Sequence, residues 1–346
     1  MINLLLAWFA ALGLAPAPAV QPATGDEPVR LRVAASGDLL IHTPVAARAL
    51  TLGGGQTYDF APMFDPVKAH IARADLALCH VETPLVPGPV QGYPSFRSPP
   101  SLAGSIARVG WDACSTASNH SLDAGAYGVA TTLRALDRAG VRHVGTARSP
   151  RERARAPILT VKGVRVGFLS YTAVSNGQPV PSPWMLDWAD PERILADARR
   201  IRSRGAELVI VNLHWGAEYV HPVTPQQAAL ARRLTRSPAI DAIVGQHAHV
   251  VQPIRRVNGK PVVYGEGNLI SNQTAACCAP GAQDGLIALI DFTIVPGARP
   301  RAERIRYVPT WVRHPDYTVV PAAPGTPSWN RTVSVAGRRP GIRPLR

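Results

Sequence analysis

The sequence has 346 residues, enough for two or three units of about 150 residues or for one large α/β domain with an extension. Hydrophobic residues at 46% and charged residues at 17% exclude wholesale disorder and leave ample material for a core. The net charge of +14 is nearly all arginine, since only Lys68, Lys162 and Lys260 are lysines. Ten of the arginines lie in the last 50 residues against Glu303 and Asp316; this basic end suits acidic polymers or membrane headgroups, and no zinc-finger, RRM or helix-turn-helix pattern points to nucleic acid.

Along the chain, Leu4 to Leu14 form an apolar run of signal-peptide length, too short for a comfortable membrane span. Small-residue sites follow at Ala15-Pro16-Ala17 and Ala17-Pro18-Ala19, although nothing before Arg30 is basic. Residues 1–29 are therefore expected to be a signal peptide or anchor and a Pro/Ala-rich linker, placing the protein outside the cytoplasm, secreted or membrane-anchored. From residue 30 to 295, apolar runs alternate with amphipathic stretches. Strands are predicted at Leu31–Ser36, Leu76–His80, Ala113–Thr116, Val166–Tyr171, Leu208–Leu213, Ile240–Val244, Pro261–Tyr264 and Leu286–Ile294. Asp190 with Pro191 opens a helix that Gly205 closes. Thr224 with Gln227 reads as a capping box opening Gln226–Thr235, and Tyr127–Arg138 ends at Gly140. This alternation argues an α/β sheet protein, with ligands beyond the carboxyl ends of the strands. Residues 296–346 lose the alternation and read as a basic Arg/Pro-rich β appendage and loose tail. Four cysteines are too few for a disulfide framework: Cys79 and Cys114 read as buried thiols, and the adjacent Cys277 and Cys278 as a bridge or a reactive thiol.

The predicted strands end in chemistry. Leu31–Ser36 runs into Asp38, Leu76–His80 delivers Glu82, and Ala113–Thr116 delivers Asn119, His120 and Asp123. Leu208–Leu213 delivers His214 with Glu218 behind it, and Ile240–Val244 delivers Gln246, His247 and His249. Carboxylate, amide and imidazole without thiolate suit Mn, Fe or Zn. A His-x-His pair on extended backbone can turn both rings to one centre, and a carboxylate from another strand can bridge two ions about 3.5–4 Å apart. His42 reads as a turn residue before Thr43-Pro44, and Trp215 as wall.

Asp38 in GDLLIH, Glu82 in CHVETPL, SNHSLDAG at 118–125, LHWGAEY at 213–219, GQHAHVVQPI at 245–254 and YGEGNLI at 264–270 stand in a fixed order. This series resembles the CapA-type poly-γ-glutamate capsule biosynthesis proteins of the calcineurin-like metallophosphoesterase superfamily. The resemblance implies an α/β fold with a β-sandwich flanked by helices, four layers αββα, over residues 30–295. It implies divalent metal ions, two in number, with Asp38 on the first, Glu82 bridging or on the second, and Asn119, His214, His247 and His249 as further ligands. His120 would be the catalytic residue that stabilises or protonates the leaving group. His80 stands where the family often has Asn and is an additional ligand candidate; Leu40 stands where a phosphatase would carry a histidine. In the loop Val86–Pro100, Arg97 is the candidate substrate-binding residue, able to hold a carboxylate or phosphate.

Two functions follow. One is capsule or exopolymer biosynthesis with a metal-dependent phosphoesterase-like hydrolase centre, acting on an anionic polymer or phosphoester. The other is a non-catalytic assembly or tethering factor that binds an anionic capsule polymer. Membrane capsule-synthesis partners belong to either, and no nucleic acid is expected.

Overall fold

The computed structural model describes residues 27–345; the predicted signal segment lies outside the described residues. Among those residues no helix is long and apolar enough to cross a membrane.

The predicted strands all form, within two sheets. One has nine strands, in spatial order Thr318–Pro321, Arg301–Arg313, Asp284–Ile294, Val29–Leu39, Leu76–Val81, Ala113–Ser115 and Arg142–Val144; Asn268–Ile270 pairs beside Val29–Leu39, and Ile342–Pro344 beside Arg301–Arg313. The other has six, in the order Ile158–Val161, Val164–Thr172, Leu208–His214, Ala242–Gln246, Lys260–Val263 and Ile254–Val257. Val29–Leu39 through Arg142–Val144 run parallel, as do Val164–Thr172 through Lys260–Val263. Such strands are covered on both faces, which explains why their sequences are continuous apolar runs.

Period-two alternation distributes those runs between layers. Leu31, Val33, Ala35, Leu76 and Leu78 meet Val166, Phe168, Leu208, Ile210 and Val244 between the sheets. The intervening Ala34, Ala77 and Cys79 face outward, against Val45 and Ala49 of helix Thr43–Leu52, Ile71 of Asp65–Ala72 and Ile106 of Ser101–Val109. Across the molecule, Val209, Val211 and Ile243 pack on Ile194, Ala198 and Ile201 of helix Pro191–Ser203 and on Leu234 of Pro225–Arg236. The result is helix, sheet, sheet, helix: the four-layer αββα fold. The helix starts are as predicted, with Asp190 accepting from Arg193 N–H at 2.8 Å and Thr224 and Gln227 closing a reciprocal capping box.

Two expectations are corrected. Residues after 295 begin with a β appendage as expected, Arg301–Arg313 paired with Asp284–Ile294, but no loose tail follows it: helix Pro327–Ala336 and strand Ile342–Pro344 come next. Arg301, Glu303 and Arg304 are on the solvent side of this strand, while Ile305 and Tyr307 enter the core between the sheets. Cys79 and Cys114 are not free thiols. The neighbouring parallel strands set them opposite each other with Cα atoms 4.4 Å apart, and their sulfurs are joined. The sulfurs of Cys277 and Cys278 are also joined.

Candidate metal centre

The carboxyl ends of parallel strands from both sheets meet at one buried place. Asp38 reaches it through an irregularity in Val29–Leu39, where the register against Leu76–Val81 shifts between Ala35 and Asp38. Gly37 permits this, because any side chain there would collide with the Gly267 carbonyl, and Asp38 N–H donates to that same oxygen at 3.0 Å. His80, one residue before the end of the neighbouring strand, is in register with Asp38, and Glu82 follows the strand. His214 ends Leu208–His214, and His247 and His249 follow Ala242–Gln246. The last two do not use extended backbone as expected. Both have positive φ, 89° and 54°, a conformation that costs non-glycine residues energy and recurs at functional sites.

The side chains converge. His249 Nδ1 lies 3.1 Å from both Asp38 Oδ2 and Asn268 Oδ1, and its Nε2 lies 3.6 Å from Glu82 Oε1. His80 Nε2 is 3.9 Å from Asp38 Oδ1, its other nitrogen being held by Ser115 Oγ at 2.7 Å. His214 Nε2 is 2.8 Å from Asn119 Oδ1 and 4.0 Å from Glu82 Oε1. The His214 and His247 rings are 4.7 Å apart.

Many of the atoms that point inward have no partner. Asp38 Oδ1, His80 Nε2, both Glu82 oxygens, His214 Nδ1 and His247 Nδ1 are buried and unbonded. Each such group costs on the order of 1–3 kcal/mol if left so, and their concentration at one place fits a cation ligand set. Three groups have ligand atoms within 4.8 Å of one another: Asp38, His80 and His214; Asp38, Glu82 and His249; Glu218, His247 and His249. Asp38 and His249 each belong to two, the sharing a two-ion centre requires.

The electrostatics agree. Burial lowers His80 to about 4 and His247 to about 3, and pushes His214 well below its usual value, so all three rings are neutral and able to ligate. Burial pushes the Glu82 carboxyl well up. Burial would also lower His249, but Glu82 and Asp38 overcome it and push the ring up to about 10. The upward push on His249 from Glu82 and Asp38 marks a demand for positive charge at this point, which a bound cation would meet.

His120 lies at the margin. Its Nδ1 is 2.7 Å from Asp123 Oδ2, which also accepts from Phe96 N–H at 2.7 Å. The Phe96 ring packs edge-on against His120 and His42, with centroids 4.7 and 5.2 Å apart. The loop Val86–Pro100 thus borders the centre as expected; Arg97 is exposed on it, beside buried Phe96. Trp215 is buried, stacks on Tyr264 and donates to its carbonyl, so it is wall. His42 precedes helix Thr43–Leu52 as a flanking residue.

Sequence reasoning assigned no role to Glu266, Asn268 or Ser115. Glu266 is fully buried, accepts from Gln246 Nε2 at 2.8 Å, and is pushed up to about 8 by burial. Asn268 braces His249, and Ser115 orients His80. YGEGNLI was the available signal for the first two; nothing marked Ser115.

The comparisons agree with this architecture. The family described as "Bacterial capsule synthesis protein PGA_cap" matches residues 32–273. The capsule biosynthesis protein CapA of Bacillus anthracis is 26% identical over 267 residues, covering 74% of this chain and 63% of the relative. A "Probable polyglutamine synthesis accessory protein" of Mycobacterium tuberculosis is 30% identical over 196 residues, 51% of this chain and 50% of that one. The chain therefore spans half to under two thirds of the length of these relatives. A phosphatase from Mycoplasma pneumoniae superposes at TM-score 0.50 and 11% identity, covering 84% of this chain and 97% of that one. A putative 5'-nucleotidase from Staphylococcus aureus superposes at TM-score 0.51 and 13% identity, covering 86% and 55%. These last two share the fold. With the motifs in order over most of its length, the chain belongs to the bacterial capsule synthesis protein family PGA_cap.

Proposed function

We propose that this chain acts in capsule or exopolymer biosynthesis of the poly-γ-glutamate type, as a metal-dependent hydrolase on an anionic polymer or phosphoester. The observation that carries this reading is the set of buried, unpartnered ligand atoms around Asp38. In it Asp38, Glu82, Asn119, His214, His247 and His249, with His80, hold two divalent cations (Mn, Fe or Zn). Bound there, the cations supply Lewis-acid polarisation of a phosphoryl or acyl oxygen. Asp123 fixes His120 through Nδ1 and leaves Nε2 to carry a proton to the leaving group. Phe96 closes water off from one side of that ring, and Arg97 on the same loop is the candidate anchor for a substrate carboxylate or phosphate.

The second reading, a non-catalytic polymer-binding assembly factor, is supported by Leu40, a buried apolar residue two positions after Asp38, where a phosphatase would carry a histidine. The test is hydrolysis of an activated phosphodiester and of γ-linked polyglutamate by purified protein with added Mn²⁺. Turnover abolished by a chelator supports the enzyme. Metal binding without turnover on either substrate supports the assembly factor.

Export and membrane capsule-synthesis partners belong to the same proposal. The joined Cys79 and Cys114 support export, since such bonds persist in oxidising compartments. Cell fractionation tests it; a cytoplasmic pool with an intact N-terminus would refute it.

A further inference from the structure

A second charged cavity, of about 520 Å³, opens on the side of the sandwich. It lies between the edge strand Arg142–Val144 of the nine-stranded sheet and the edge strand Ile158–Val161 of the six-stranded one. None of the residues gathered at the metal centre lines this cavity, and Arg142 and Arg165 stand at the amino ends of their strands. Its lining holds six arginines against Asp137, Glu152 and Asp187.

These arginines are of two kinds. Arg148 is paired with Asp137 and Glu152, and Arg153 with Asp187 and Asp197, so their charges are already answered. Arg142, Arg155, Arg165 and Arg204 have no carboxylate partner among the described residues. Arg165 Nη2 donates to the Arg204 carbonyl at 2.7 Å and Arg204 Nη1 to the Ala156 carbonyl at 3.2 Å. Those bonds brace the two guanidiniums without neutralising them. Four positive charges thus share one concave surface, an arrangement that repels itself and is relieved by an anion carrying several charges. All four are arginine, whose planar fork matches a carboxylate or phosphate in two hydrogen bonds.

We propose that this cavity is a binding site for an anionic polymer, a chain of carboxylates, separate from the metal centre. The choice of carboxylate over phosphate rests on the function proposed above; the cationic cavity does not. Such a site would hold the polymer while another segment of it reaches the centre at the far end of the strands.

The test is fluorescence anisotropy of a fluorescein-labelled γ-linked decaglutamate with the full chain, in chelator so that the metal centre takes no part. Wild type should bind with an affinity that falls as salt rises. Arg142→Gln with Arg155→Gln, two exposed side chains with no hydrogen-bond partner to lose, should weaken binding roughly tenfold or more at unchanged melting temperature. Arg73→Gln with Arg232→Gln, both exposed and neither in the cavity nor in the basic C-terminal segment, removes the same charge elsewhere and should change it little. Equal weakening by the two pairs would mean general attraction to a basic protein and would overturn the proposal. So would displacement of the probe by inorganic phosphate at lower concentration than by unlabelled decaglutamate, or absence of binding by wild type. Failure here is distinguishable from failure of the hydrolase reading, because turnover of the activated phosphodiester is measured with metal and needs no polymer held in this cavity.

Discussion

His80 Nε2 stands 3.9 Å from Asp38 Oδ1, and both side chains are fully buried on adjacent parallel strands where the two residues are register partners. An imidazole from the neighbouring strand thus faces Asp38, while Leu40, two residues after Asp38 and just past its strand, is buried and apolar. His80→Asn should therefore weaken Mn²⁺ binding, and Ser115→Ala, which frees His80 Nδ1, should weaken it by about 10–100-fold. Isothermal titration with metal checks both; unchanged affinity in His80→Asn would remove His80 from the ligand set.

Metal should also stabilise the fold. A saturating divalent ion at about 100 times its Kd contributes about 2.7 kcal/mol, read as a higher melting temperature. Glu82→Gln removes a buried charge that burial already disfavours. The metal-free variant should be at least as stable as wild type, while most of the metal-induced rise disappears. A variant that keeps the full rise would show that Glu82 is not a ligand.

His120 and Asp38 should separate in their effects. His120→Ala is expected to lose roughly 10²–10⁴-fold in rate with metal content intact, since proton transfer acts in the transition state. Asp38→Asn should lose metal and activity together. Metal analysis alongside phosphodiester kinetics reads the difference; release of metal by His120→Ala would make His120 a ligand.

Peptide mapping without reduction should recover Cys79 joined to Cys114. Removing a bond that closes a loop of this kind typically costs about 2–4 kcal/mol, so Cys114→Ser should unfold at lower urea. Separate 79 and 114 peptides from non-reduced protein would sink this expectation.

Core and cap should differ in weight. Phe168 is wholly buried between the sheets, and Phe168→Ala is expected to cost about 3–5 kcal/mol. Thr224→Ala, which opens the capping box of Pro225–Arg236, should cost about 1 kcal/mol. Urea titrations of the two variants supply the comparison.

Local pattern alone determined much of this protein. Continuous apolar runs such as Leu208–Leu213 marked strands covered on both faces, and Asp190 and Thr224 marked helix starts, because those signals depend on neighbours in the chain. The ordered polar residues at strand ends named Asp38, Glu82, Asn119, His120, His214, His247 and His249 as one set. Tertiary structure decided what depends on residues far apart. It put Cys114 opposite Cys79, because strand order is a property of the sheet. It drew Arg301–Arg313 into that sheet, since burial of Ile305 and Tyr307 outweighs a charged outer face. It set His80 beside Asp38 and left four arginines from separate elements around one cavity. Charge and ligand identity are written residue by residue, but whether a charge is answered depends on which residues the packing brings within reach.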